Sequence, residues 1–197
     1  MIDYYEIAKE INDVLINNCS DKSTRKITSE LKKYFGNRFK EHYVAGANNN
    51  KEYLYDITVM PCSPLEIYKS KKSEYKIYLV MESELGGKSA SSGTLVERNV
   101  IEDFFKILQA RAQYKIMIGI YSGLNEENDI IQKRINKMDE IFRKSSNKED
   151  VLVVLIKGTN QNRTSNQVQV IKPLIVNGFI LSQTKEYEEI QLTTAST

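Results

Sequence analysis

Tyr75-Lys76-Ile77-Tyr78-Leu79-Val80-Met81-Glu82-Ser83-Glu84-Leu85-Gly86-Gly87 decides the fold. From Ile77 to Val80 every residue is apolar or aromatic, so a strand here has two apolar faces. Such a strand is covered above and below, as in a sheet that carries helices on both sides. Side chains alternate along a strand, which sets Glu82 and Glu84 on one face and Met81 and Ser83 on the other. Gly86-Gly87 then ends the element. Two carboxylates at the C-terminal end of a buried strand are expected to lie close together and partly out of water.

Upstream, Tyr53 to Met60 is rich in β-branched and aromatic residues and stops at Pro61, which predicts a neighbouring strand. A charged loop with Lys69, Lys71 and Lys72 joins the two. Further back, Tyr4, Ile7, Ala8, Ile11, Val14 and Leu15 recur at helical spacing within residues 3–17. Thr28 or Ser29 caps a second helix to about Phe39, and Gly46 with the Asn48–Asn50 run breaks the chain after it.

Downstream, the small-residue loop Lys88–Thr94 leads to a helix over Val96–Ala112 with Val100, Ile101, Phe104, Phe105 and Leu108 on one side. A buried strand Lys115–Tyr121, an amphipathic helix Glu126–Lys144 and a strand Val151–Lys157 follow. A polar loop, Gly158–Asn166, precedes a last strand pair near Val168–Leu181. Strands that alternate with helices need crossovers. The fold class expected is therefore α/β, a mixed central sheet flanked by helices, with residues 1–197 as one domain.

The 197 residues are 41% apolar and 27% charged, the balance of an ordinary globular protein. A net charge of +2 permits an anionic partner without requiring one. Two cysteines, Cys19 and Cys62, are too few and too far apart for a disulfide framework or a zinc site, and read as buried small residues. The single histidine, His42, excludes two-histidine phosphodiester chemistry and reads as a surface or packed side chain. Met1–Glu6 lacks the basic and apolar regions of a signal peptide. The longest apolar runs, Ile116–Tyr121 and Val151–Ile156, fall far short of the roughly 20 residues that span a bilayer. No membrane association and a cytoplasmic location are expected.

Asp56, in Tyr55-Asp56-Ile57-Thr58, adds a third carboxylate from the preceding strand. Like charges this close destabilise each other unless a cation compensates. Oxygen donors of this kind suit a hard divalent ion such as Mg²⁺, which keeps waters for substrate oxygens. Phosphodiester hydrolysis is the chemistry that fits, since the ion acidifies a water and offsets charge on the transition state.

The arrangement resembles the PD-(D/E)XK nucleases, the superfamily of most type II restriction endonucleases, over residues of about 28–121. Its pattern is an acidic helix, a strand with Asp, a strand with Glu/Asp-x-Lys, then a helix and a further strand. Asp56 stands at the metal-binding Asp, Glu82 at the second acid and Ser83 at the middle position, whose backbone carbonyl is often a further metal ligand. Glu30 matches an auxiliary acid on the preceding helix. Tyr55 replaces a common Pro, and Glu84 stands where most members carry Lys, leaving Glu84 open between metal ligand and general base. In some members the lysine comes from the following helix, which here offers Lys106. The alternative for Lys106 is a solvated residue paired with Glu102.

The resemblance implies a restriction endonuclease-like fold and a Mg²⁺-dependent endonuclease acting on double-stranded DNA, most simply within a restriction system. Cutting both strands of a symmetric target with one site per chain implies a homodimer. Lys88, the cluster Lys69/Lys71/Lys72 and the cluster Lys32/Lys33/Arg38/Lys40 are candidates for binding phosphates, with solvated charge as the alternative. Gln161, Asn162, Arg163, Asn166 and Gln167 are side chains of the kind that read base edges. Asp103 and Arg111 read as surface or packing-edge charges. The rival from another class is a non-catalytic α/β module that binds nucleic acid or protein with a vestigial acid cluster, and Glu84 in place of Lys is the feature that favours it.

Overall fold

The computed structural model describes residues 2–18, 24–48, 50–70, 75–86, 93–122, 127–159, 169–170 and 176–192. In chain order its elements are α1 (Tyr4–Asn18), α2 (Thr24–Arg38), β1 (Tyr43–Ala45), β2 (Ile57–Met60), α3 (Pro64–Ser70), β3 (Ile77–Glu84) and α4 (Gly93–Gln109). They continue as β4 (Ala112–Ser122), α5 (Glu127–Lys144), β5 (Val151–Thr159), β6 (Gln169–Val170), β7 (Val176–Leu181) and β8 (Glu188–Ile190). The strands form one sheet in the order β1-β2-β3-β4-β5-β7-β8, with β6 pairing to β5 off this path. β1, β2 and β3 run antiparallel in succession, and β3, β4 and β5 are parallel, joined through α4 and α5. β7 and β8 close the far side antiparallel. The chain is thus a mixed α/β fold, as the alternating pattern predicts.

Helices cover both faces of the sheet. In β4, Gly119 points at Val100 of α4, and Glu97 of α4 pairs with Arg134 of α5 at 2.9 Å, so α4 and α5 share a face. Tyr114, of opposite parity in β4, meets Tyr4 of α1 edge-on at 5.9 Å and accepts a hydrogen bond from the Ile2 amide at 3.0 Å. α1 packs in turn on α2, where Glu10 accepts hydrogen bonds from Tyr34 and from Arg38. β3, β4 and β5 lie between these layers, and Leu79–Met81, Ile116–Ile118 and Val151–Ile156 are buried in a continuous core. Lys115 is buried too, because its ammonium reaches the Leu108 carbonyl, Asn147 and Glu149 and ties the end of α4 to the turn after α5.

Several boundaries differ from expectation. β2 begins at Ile57 and not Tyr53, because Leu54 takes a left-handed φ of 67° and folds Tyr53 and Tyr55 into an isolated bridge. The loop after Pro61 contains the short helix α3, held by a capping box in which Glu66 accepts from the Ser63 amide at 2.8 Å and Ser63 Oγ accepts from the Glu66 amide at 3.2 Å. The strand pair expected near Val168–Leu181 is present as β6 and β7, whereas β1 and β8 are additional. Cys62 is half-buried rather than buried, and Cys19 lies outside the described residues. Among the described residues no helix is long and apolar enough to cross a membrane.

Gly119 sets how closely α4 approaches the sheet, since a Cβ there would lie 3.1 Å from Val100 Cγ1 and 3.4 Å from Leu155 Cδ2. Gly119→Val is expected to cost about 1–3 kcal/mol through overpacking. A urea melt checks this as a lower midpoint with an unchanged slope.

Candidate active site

The antiparallel register sets Ile57 opposite Met81 and Thr58 opposite Val80, so one further step places Asp56 opposite Glu82. Asp56 therefore leads into β2 beside the end of β3 that carries the other acids. Gly46 fixes the backbone there. Its φ is +87°, and a Cβ on it would stand 1.9 Å from the Asp56 carbonyl oxygen, so only glycine lets the turn after β1 pass this close. The side chain of Asp56 turns towards α2. Its Oδ2 accepts from the Ser83 amide at 2.9 Å and the Ser83 hydroxyl at 2.7 Å, and Lys32 of α2 stands 3.9 Å from Oδ1 while pairing with Glu52.

Glu82 lies on the other face, under α4, where it is only 5% exposed. Lys106 of α4 donates a hydrogen bond to it. Burial pushes the Glu82 carboxyl up to about 7; Lys106 opposes this, and the charges of Asp56 and Asp103 add to it. Burial alone depresses the Lys106 ammonium, but the hydrogen bond and charge of Glu82 outweigh that and hold it above its usual value. The same ammonium lies 5.2 Å from the centre of the Tyr55 ring, a cation–π contact that keeps it over the site. Thr58 Oγ1, donating to the Tyr53 carbonyl at 3.1 Å, holds the turn that carries Tyr55.

Glu84 accepts from the Gly86 amide at 2.8 Å. Burial raises its carboxyl, the Gly86 amide opposes, and Asp103 and Asp56 add to the rise. Asp103 stands at the packing edge of α4, one of the two placements expected from sequence. It is half-buried one turn before Lys106, and burial raises its carboxyl against the pull of that lysine. The chain carries a signal for this, because Val96, Val100 and Ile107 are buried and Asp103 falls on their stripe.

Asp56, Glu82 and Glu84 thus share one edge of the sheet but do not converge on one point. Among the described residues no three His, Cys, Asp or Glu side chains form a group able to hold a metal ion as they stand. The reason is local: Asp56 is held by Ser83 on one face, Glu82 by Lys106 on the other, and Glu84 by Gly86. Glu30 does not join them, since it pairs with Lys33 at 2.8 Å and lines a separate depression with Val14, Tyr34 and Arg38. Lys106 pairs with Glu82, while Glu102 pairs with Arg98 at 3.3 Å. Arg38 is spent on Glu6 and Glu10, each at 3.1 Å, and Lys69 is exposed on α3. His42 stacks on Tyr78 at 5.4 Å. Lys71, Lys72, Lys88, Gln161, Asn162, Arg163, Asn166 and Gln167 lie outside the described residues.

The raised Glu82 carboxyl has a signed consequence. The folded chain holds that proton more tightly than the unfolded chain does, so stability is greatest below the ordinary carboxylate range and falls as pH rises through about 7. Between pH 5 and pH 8 the wild type is expected to lose up to about 3 kcal/mol relative to Glu82→Gln. Urea melts of both proteins at the two pH values measure the difference, and a pH-independent gap contradicts the burial of this charge.

Compared with known proteins, the chain matches no family model, no curated protein and no solved structure. Its function rests on the chemistry of the site itself.

Proposed function

We propose that this chain is a Mg²⁺-dependent endodeoxyribonuclease of the PD-(D/E)XK kind, cytoplasmic, cutting double-stranded DNA as a homodimer and most simply serving a restriction system. What supports this most directly is the pairing of β2 with β3, which brings Asp56 opposite Glu82, together with a lysine that the next helix delivers onto Glu82. The succession α2, β1, β2, α3, β3, α4, β4 contains, with β1 and α3 as additions, the helix, strand, strand, helix and strand that the resemblance implies.

The donor set suits a hard cation, since every side-chain ligand offered is an oxygen and the edge carries more acids than bases. Asp56, Glu82, Glu84 and the carbonyl of Ser83 would hold Mg²⁺, with the Ser83 hydroxyl and the Lys106 ammonium giving up their places on the carboxylates. Bound there, the ion supplies an acidified water and offsets charge on the attacked phosphate. Lys106, freed from Glu82, is placed to donate to a phosphate oxygen. Where Glu84 is not on the ion, it would instead accept a proton from the attacking water. Glu30 takes no part. Two copies related by a two-fold axis would cut the two strands.

One observation favours a second function. Glu82 and Lys106 neutralise each other without any metal ion, as they would in a non-catalytic module that binds nucleic acid or protein.

Incubation of supercoiled plasmid with the protein in Mg²⁺ or in EDTA separates the two. Cleavage in Mg²⁺ alone is expected, reduced by about 10²-fold or more in Asp56→Asn, Glu82→Gln and Lys106→Ala. Arg111→Ala should cut at the wild-type rate. Cleavage that survives EDTA or Asp56→Asn rejects the metal site, and salt-sensitive binding without any cleavage favours the module.

A further inference from the structure

Between α2 and the chain from Gly46 to Asp56 lies a cleft of about 910 Å³ that opens directly onto the candidate site. Its inner end is formed by Asp56, Ser83, Glu84 and Gly86. One whole wall is α2, which contributes Thr24, Arg25, Thr28, Ser29, Lys32 and Lys33. These are two rows at i, i+4, and every one is a hydroxyl or a cation. Ile27 and Leu31, on the opposite side of the same helix, are buried in the core. The apolar residues in the lining are Ala47 and Leu85, both buried, so the cleft lacks the hydrophobic anchors on which small-molecule sites rely. What it offers is carboxylates at the inner end and cations and hydroxyls along α2, of which Lys32 is paired with Glu52 of the facing segment.

We infer that this cleft holds the backbone of the DNA strand being cut, with the phosphates on one side of the scissile bond lying along α2. This rests on the nuclease function proposed above and adds to it the path of the strand. Arg25 and Lys32 are seven residues apart, about 10 Å along a helix, and a strand in B-DNA places a phosphate about every 3.4 Å of axis, so the wall spans about three phosphates. Lys32, already held beside Asp56, meets the phosphate nearest the cut. Arg25 and Lys33 are exposed at the rim and meet those further out.

The test uses Arg25→Gln/Lys33→Gln, both at exposed positions, and Lys133→Gln/Lys144→Gln on α5 as a control of equal charge loss on the other face of the sheet. Binding to a fluorescent duplex is titrated in Ca²⁺ between about 50 and 200 mM salt, with thermal melts to check that each variant folds. Every phosphate that the protein ceases to neutralise lowers the slope of log affinity against log salt by about one. The cleft variant is therefore expected to bind more weakly at low salt, with a slope smaller by about two, while the control keeps the wild-type slope. A folded cleft variant with the wild-type slope, or an equal fall in both variants, overturns the assignment of the strand to this cleft and leaves the nuclease function standing if the wild type cuts in Mg²⁺. A wild type that neither binds duplex nor cuts it overturns both.

Discussion

The ion pair between Glu82 and Lys106 is the interaction on which the site depends. A carboxylate taken out of water at the end of a sheet costs several kcal/mol unless a cation accompanies it. Glu82 is buried because β3 is the strand between the antiparallel β2 and the parallel β4, and α4 must cross over it to reach β4. The same crossover carries the cation. Gly119 lets Val100 approach the sheet, which brings the rest of α4 low enough for Lys106 to reach back to Glu82 and over the ring of Tyr55. Packing and electrostatics are therefore one arrangement. Asp103, from the same helix, tightens the balance by adding a half-buried acid near that lysine.

Asp56 is governed from the other face. Gly46 admits the turn after β1 against the Asp56 backbone, Ser83 takes the carboxylate, and Lys32 stands beside it. The edge of the sheet thus separates two acid–base groupings, Asp56 with Lys32 and Glu82 with Lys106. A divalent cation held by Asp56 and Glu82 would compete with both lysines, which would then be free for phosphates. That exchange would link the resting geometry to the proposed hydrolysis.

Much of this is legible in the chain. The two-sided apolar run Ile77–Val80 marks a central strand, and the parity of Glu82 and Glu84 follows from it. Lys106 is identifiable because it lies on the helix that must return across that strand. What sequence obscures are features set by other elements. Asp56 and Glu82 are paired across strands, but alternation within a strand says nothing of Ser83 drawing Asp56 to the opposite face. Asp103 reads in isolation as a surface or packing-edge charge, and its place on a buried helical stripe decides for the edge. α3 hides in a stretch that reads as a charged loop, although Ser63-Pro64-Leu65-Glu66 is a capping box with proline at the first helical position. Glu30 shows the converse, a residue that matches by position in the chain and points elsewhere in space.

The proposed chemistry requires Asp56 and Glu82 together to hold a divalent cation at the end of β3. Titration of Mn²⁺ against the protein, followed through the electron paramagnetic resonance signal of the free ion, tests it without any substrate. Saturable binding by the wild type is expected at one site per chain, abolished in Asp56→Asn and in Glu82→Gln while both variants stay folded. Mn²⁺ that remains free in the presence of the wild type, or that binds the two variants as well as it binds the wild type, would contradict it.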